Sequence, residues 1–346
     1  MNPIFRAILP EERPNCLRLW TTVFSPGEDY FVRYFEDPLW QADYTRVCVV
    51  NHEVVACVQI VKRFVRLNGY TLPMAGIANV STHPDYRGHG FASHLIHDAN
   101  RLIDEGDFLF GLLFTGINDF YARLGWHTMP SPFWRVATES VDVTGWRFRT
   151  AGVDDLPFVQ ACYEHAYGNR PASVVRDEAY WRVWVRWDDP NWRQRFYIAE
   201  LEDEPRGYAV VLTDSRSGDG LPQVRSMTLT ELATRPNDEG AGRALVAFVS
   251  SLAHSFGLES IELSLAPSDV ARYVRPVLSE VRFHPSRSAM VYLSDPKRLE
   301  RLFQLANKPL TPEAQAGDYG KASASLFGFG EDAPEWQAHF SGVDGF

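Results

Sequence analysis

A strand, a glycine-bearing turn and a helix occur twice in this chain, 150 residues apart, and this repetition constrains the fold more than any other feature. The first copy runs as a strand from Met74 to Val80, turns through Thr82-His83-Pro84-Asp85, and enters a helical pattern near Gly90. In it Phe91, Leu95, Ala99, Leu102 and Ile103 share one face before Gly106. The second runs from Ser226 to Ala233, turns through Arg235-Pro236-Asn237-Asp238-Glu239-Gly240, and continues with Leu245, Phe248, Val249, Leu252 and Phe256 to Gly257. Arg87 and Asn237 hold equivalent places, and an internal duplication is the economical reading.

The flanking segments repeat in the same order. Residues 47–61, VCVVNHEVVACVQIV, read as a β-hairpin around Asn51-His52-Glu53, and YIAEL with GYAVVL reads as a second one. After the first helix come a strand over 108–114, a short helix over 118–124 and the pair Gly125-Trp126. From Arg147 the plan restarts, with a strand at 147–149 and helices over 154–167 and 177–187. A chain of 346 residues accommodates two such domains. The expected division is 1–145, 146–295, and a segment 296–346 comprising a helix over 296–306 and a tail. Phe327, Phe329, Trp336, Phe340 and Phe346 give that tail more aromatic surface than a disordered segment carries, so it is expected to dock on the body.

Hydrophobic residues at 45% and charged residues at 23% suffice for packed cores. The net charge of −10 offers no footprint for nucleic acid or an anionic membrane and suits a cationic substrate. Cys16, Cys48, Cys57 and Cys162 have no metal-ligand spacing and are too sparse for a disulfide framework. No export signal opens the chain and no apolar run approaches the roughly 18 residues of a membrane span, so a cytoplasmic protein is expected. His94 and His97, three apart without a supporting carboxylate pair, predict no metal site. Trp181, Trp184, Trp187 and Trp192, interleaved with Arg182, Arg186, Arg193 and Arg195, read as a helix with a packed aromatic stripe rather than a nucleic-acid surface.

The segment from Val80 to Ala92 carries R-x-x-G-x-A at a strand-to-helix junction. Its physical use is anion capture: glycines let the backbone turn tightly, successive N–H groups face outward, and the helix N-terminus adds partial positive charge. A pyrophosphate suits such a turn.

The run VSTHPDYRGHGFASHLI resembles the central motif of the GNAT acetyltransferases, and Asn118-Asp119-Phe120-Tyr121-Ala122-Arg123-Leu124-Gly125-Trp126 resembles their closing motif. The resemblance covers roughly residues 4 to 140 and implies an α/β (α+β) architecture of two tandem GNAT folds. Each would be a mixed, mostly antiparallel sheet flanked by helices. It further implies acetyl-CoA as co-substrate with no metal, held by Val80, Ser81, Thr82, Arg87, Gly88, His89, Gly90, Phe91, Ala92, Ser93 and Asn118. Tyr121 would adjoin the thioester sulfur as general acid. The second copy departs from the pattern, since Asp238 and Glu239 stand at the phosphate turn without an arginine and would repel a pyrophosphate.

A tandem chain with one motif-bearing half is similar to the Eis-like acetyltransferases, and Tyr180-Trp181-Arg182 through Gly207-Tyr208-Ala209 is similar to the start of their central domain. Their sterol-carrier-like C-terminal domain would not fit the roughly 50 residues that follow Ser294 here, so the chain resembles a shortened relative. That resemblance implies the terminal carboxylate, on Phe346, as base. The expected activity is acetyl transfer to a primary amine of a small molecule or peptide, with the acidic chain favouring a polycation, and with neither nucleic acid nor membrane as partner. Homo-oligomerisation, the acceptor and the acyl-chain preference stay open. The competing reading is a non-catalytic acyl-CoA sensor; Arg87 and Tyr121 together favour the enzyme, because a sensor needs the phosphate turn but not the acid.

Overall fold

The computed structural model describes residues 2–24, 27–185, 187, 194–216, 223–293 and 295–327. The first half of the chain contains β1 (Ile4–Ala7), α1 (Arg13–Val23), α2 (Glu28–Glu36), β2 (Thr45–Val50), β3 (Glu53–Leu67) and β4 (Tyr70–Thr82). It continues with α3 (Phe91–Glu105), β5 (Phe110–Phe114), α4 (Asn118–Ala122), β6 (Trp126–Thr128) and β7 (Trp134–Ala137). The second half contains β8 (Trp146–Thr150), α5 (Leu156–Tyr167), α6 (Glu178–Trp184), β9 (Gln194–Leu201), β10 (Glu204–Arg216), β11 (Gln223–Thr234), α7 (Glu239–Ser255) and β12 (Ser260–Leu263). There follow α8 (Pro267–Asp269) with a π-helical turn over Val270–Val274, β13 (Val281–Phe283), β14 (Ala289–Tyr292), α9 (Pro296–Leu305), α10 (Pro312–Gln315) and α11 (Tyr319–Phe327). Among the described residues no helix is long and apolar enough to cross a membrane.

The two predicted hairpins form, each with left-handed residues at its tip: Asn51 and His52 between β2 and β3, Glu202 and Asp203 between β9 and β10. Positive φ at both central residues matches the twist of the flanking strands. The helix after each glycine turn also forms, as α3 and α7.

Two seven-stranded sheets result, in the orders β1-β2-β3-β4-β5-β14-β6 and β13-β7-β12-β11-β10-β9-β8. Every pairing is antiparallel except β4 with β5 and β11 with β12. The two orders reveal an exchange that the sequence division did not anticipate. Strand β7 lies in the segment assigned to the first domain, yet it pairs with β12 and β13 of the second sheet. Conversely β14 lies before residue 295 but pairs with β5 and β6 of the first sheet. Boundaries at 145 and 295 therefore follow the repeat in sequence and not the hydrogen bonding. Strand β14 is buried on both faces, Met290 and Tyr292 in the core under α3 and Ala289 and Val291 in the opposite core, which is why AMVY is uniformly apolar.

The first sheet packs α3 on one face, through Leu95, Ile96, Ala99 and Ile103. Its other face receives α1, α2, α6, α9 and α11. The second sheet is likewise covered by α7 on one face and by α5 with α6 on the other. The aromatic stripe of α6 is thus a wedge between the halves. Trp184 joins the first core and Trp181 the second, both 1% exposed or less. Trp192 lies outside the described residues. At this wedge Arg63 of β3 donates to Asp37 at 2.6 Å, and the Trp184 indole N–H donates to the same carboxylate at 2.9 Å. The guanidinium lies 4.5 Å from the Trp184 ring, so the buried charge is paired and stacked as burial demands. Of the tail, Phe327 lies 5.2 Å from Phe110; Phe329, Trp336, Phe340 and Phe346 lie outside the described residues.

A chain cut after residue 145 would lose β14, and with it Ala289, Met290 and Val291, each 1% exposed or less. At about 1.5–3 kcal/mol for each of the two larger side chains, plus the ladder on both sides, the loss rivals the whole stability of a domain, about 5–15 kcal/mol. The isolated fragment 1–145 should show no cooperative thermal transition, and co-expression with a separate fragment 146–346 should restore one in a co-eluting complex. A cooperative melt of the fragment alone would refute the dependence.

Candidate functional site

Strands β4 and β5 run parallel and bonded only from Met74–Gly76 against Phe110–Leu112. Beyond that point β4 continues to Thr82 and β5 to Phe114 without pairing to each other, and the strands separate. Here opens a cleft of about 880 Å³. One wall is the end of β4, Val80, Ser81 and Thr82, continuing into Arg87, Gly88, Gly90, Phe91, Ala92 and Ser93; the other is α4 with Ile117, Phe120, Tyr121, Arg123 and Leu124.

The glycine turn is built for close approach. Gly88 and Gly90 have φ of +81° and +77°, and no atom stands within 4 Å of where a side chain would project from either. Left-handed backbone excludes most other residues here, and the space is open to a ligand. Gly90 starts α3 without any side-chain cap, so the first-turn amides of the helix are left to an external acceptor. Arg87 is exposed, with Nε 3.4 Å from the Thr82 carbonyl, and Arg123 adds a second guanidinium to the lining. Among the described residues no carboxylate lines the cleft.

Tyr121 faces the glycine turn from α4. It is 7% exposed, its ring is packed edge-on against Phe120 at 4.9 Å, and no hydrogen-bond partner for its hydroxyl exists among the described residues. Burial pushes its phenol up to about 12. Two amides fix α4 in place. Asn118 donates to Thr128 Oγ1 at 2.9 Å and to the Arg287 carbonyl at 2.8 Å, and Asn100 of α3 donates to the Leu124 carbonyl at 2.9 Å while accepting from the Trp126 indole.

The structure thus brings Val80, Ser81, Thr82, Arg87, Gly88, Gly90, Phe91, Ala92, Ser93 and Tyr121 to one cleft. Asn118 and His89 do not line it. The Asn118 amide is spent on holding α4, and the His89 ring bonds the carbonyls of Tyr86 and Arg87 and stacks on Phe91, shaping the turn from behind. Phe346 lies outside the described residues. Sequence reading missed Arg123 and the apolar lining of Val23, Ile117 and Phe120, which belong to no motif. It also missed an irregularity in β4 at Asn79, whose φ of +52° inside a strand has no signature beyond the residue type. Among the described residues there is no group of three or more His, Cys, Asp or Glu side chains able to hold a metal.

In the second copy the corresponding place is occupied from within. Asp238 caps α7 by accepting from the Ala241 amide at 3.0 Å, and Glu239 pairs with Arg243 and Arg272. The Tyr273 ring lies on the first turn of α7, so close that a Cβ on Gly242 would stand 2.3 Å from it. What remains is a space of about 120 Å³, lined by Arg170, Thr234, Asp269 and Tyr273 among others. Charge repulsion was the reason legible in the sequence; the tyrosine plug is a second, steric one.

Residues 5–129 match the family described as acetyltransferase (GNAT) domain. That segment is a GNAT acetyltransferase domain. No curated protein sequence matches it. Among solved structures it is similar to a GCN5-related N-acetyltransferase from Anabaena variabilis, 18% identical with a TM-score of 0.60, covering 86% of this chain and 74% of that one. It is also similar to Eis1 from Mycobacterium abscessus, 16% identical with a TM-score of 0.56 over 88% and 76% of the two chains. A third likeness is to the N-myristoyltransferase of Saccharomyces cerevisiae, 12% identical with a TM-score of 0.59 over 84% and 79%. At these identities the likeness is one of fold, and it spans both sheets: the GNAT architecture is present twice, in tandem.

Acetyl-CoA should bind the GNAT domain at one site per chain by calorimetry. A Gly90→Glu variant should abolish that binding, because it sets a carboxylate and a strained backbone at the head of α3. Two sites per chain, or normal affinity in the variant, would contradict the assignment of the second copy as closed.

Proposed function

We propose that the chain transfers an acetyl group from acetyl-CoA to a primary amine by direct attack, within the cleft of the N-terminal GNAT domain. The observation that carries the reading is the uncapped α3 N-terminus, flanked by Arg87 and Arg123, facing a buried tyrosine across one cleft. The cofactor pyrophosphate would sit on the amides of Gly88 to Ser93, with its thioester reaching toward the separation of β4 and β5. Residues 146–295 then serve as a non-binding partner domain that supplies β14, and the following helices brace the first sheet.

The reaction requires a neutral amine, although an alkylamine near pKa 10.4 is mostly protonated at pH 7. Its nitrogen attacks the thioester carbonyl, the C–S bond breaks, and the proton lost by nitrogen ends on sulfur. Tyr121, held near 12, stays protonated throughout the range in which amines are nucleophilic. Complete proton transfer from such a phenol to a thiolate with a conjugate acid near 8.5 is uphill by about 5 kcal/mol, so Tyr121 acts first as a hydrogen-bond donor to sulfur as charge builds there. The proton count is closed by the ammonium of the tetrahedral adduct. The carboxylate of Phe346 is the proposed base for that nitrogen, on the Eis-like resemblance. The net charge of −10 supports a polycationic acceptor.

Release of free thiol from acetyl-CoA against a panel of polyamines, aminoglycosides and peptide amines tests the reading; binding without turnover on any of them would favour the sensor instead. A Tyr121→Phe variant should lower kcat on the order of 10²-fold with little change in acetyl-CoA affinity. The wild-type pH profile should rise as the amine deprotonates and show no falling limb from this phenol below about 12.

A separate outcome concerns the terminal carboxylate. Residues appended after Phe346 should abolish turnover and spare acetyl-CoA binding, since they move the charge away from the nitrogen; full activity of a C-terminally tagged chain would refute its role.

A further inference from the structure

The cleft is lined from both faces of the first sheet. Phe91 and Tyr121 belong to the core beneath α3, whereas Val23, the last residue of α1, packs against the core on the opposite face. Residues from two faces meet in one cavity where the ladder between them is interrupted, and β4 and β5 have parted here. The cleft is therefore a passage through the sheet, with the glycine turn at its α3 end and Val23 at its α1 end.

Ser81 faces the same end. It lies opposite Cys57 in the β3–β4 ladder, so the two side chains share a face, and the Cys57 sulfur is 4.0 Å from that of Cys16 in α1. The Ser81 side chain is small and buried, and its hydroxyl has no hydrogen-bond partner among the described residues. An apolar group laid beside it breaks no hydrogen bond, so the desolvation cost that a wet hydroxyl would add is absent. Ile117, 62% exposed at the head of α4, gives the passage an apolar rim. Val23 is presented by a well-anchored helix, since Trp20, one turn earlier, is fully buried.

Resting on the acyl-CoA reading above, we propose that the cleft takes acyl groups longer than acetyl, propionyl and butyryl among them, and that Val23 is the residue that limits their length. A donor whose pyrophosphate sits on the glycine turn points its acyl group toward the α1 end. Acetyl offers that end a single methyl, and each added methylene buries further apolar surface against Val23 and Ile117. The two charged side chains among the described lining residues, Arg87 and Arg123, belong to the glycine turn and to the far end of α4. The α1 end thus holds no charge that an alkyl chain would have to strip of water.

The test compares CoA with acetyl-, propionyl-, butyryl- and hexanoyl-CoA on the full chain by calorimetry, so that no acceptor need be known. In the wild type, affinity should rise about 2- to 4-fold for each methylene from acetyl to butyryl, the upper figure being the worth of one fully buried methylene. Val23→Phe should flatten this rise and leave CoA affinity unchanged, because CoA places nothing at the α1 end. Val23→Ala should carry the rise on to hexanoyl-CoA. Val23→Leu, nearer in size, serves if the phenylalanine variant fails to fold. Affinity that stays level or falls from acetyl to butyryl in the wild type would overturn the proposal. So would a series that neither Val23 variant alters, or a loss shared equally by CoA and its acyl forms. If the wild type binds neither CoA nor acetyl-CoA, the acyl-CoA reading fails instead.

Discussion

Each sheet in this protein is completed by a strand that the chain delivers from the other repeat. Strand β14 separates β5 from β6 and hydrogen-bonds both, while β7 does the same between β12 and β13. Because a sheet interior cannot tolerate an unpaired ladder, neither half satisfies its backbone alone. The consequence reaches the cleft: α4, which presents Tyr121, is pinned through Asn118 to the carbonyl of Arg287 in the segment entering β14. Arg298, just beyond β14, donates to the carbonyls of Ile103, Asp104 and Phe108 at the C-terminal end of α3. Both walls of the site therefore depend on residues 169 to 195 positions distant.

The two repeats keep one topology and have diverged in what fills the space where the parallel pair separates. In the first, α3 begins on an uncapped glycine, and the space beside it is open. In the second, α7 begins on a self-capping Asp238, and Tyr273 occupies the room against Gly242. The second domain also packs into the first. Its α6 drives Trp184 into the first core, where the indole and Arg63 share the Asp37 carboxylate at the foot of α2. Such a buried ion pair adds little net stability but strongly disfavours other dockings of the two halves, since any shift strands a charge in an apolar setting.

Local features were legible because their causes are local. The hairpin tips follow from the tolerance of Asn, His and Asp for positive φ between apolar runs, α3 from its apolar period and glycine boundaries, and the open turn before it from Gly88 and Gly90. The packed aromatic stripe of α6 was legible from its spacing, though not its partners. The cofactor wall predicted from Val80 to Ser93 lines one cleft apart from His89, whereas Asn118 was read as a ligand contact and is a strut for α4. Nothing adjacent to Asn118 in sequence reveals Thr128 or Arg287 as its partners.

By itself, then, the sequence determined the repeat, the class of fold, and the open glycine turn at the head of α3, since each is encoded by periodicity or backbone chemistry within about 20 consecutive residues. Only the tertiary structure decided which strand closes which sheet, that Tyr273 plugs the second copy, and that β4 carries an irregularity at Asn79. These rest on contacts between segments far apart in the chain. A strand's apolar pattern says that it will be buried, not beside which neighbour, because alternative partners offer the same backbone hydrogen bonds and differ only in side-chain packing.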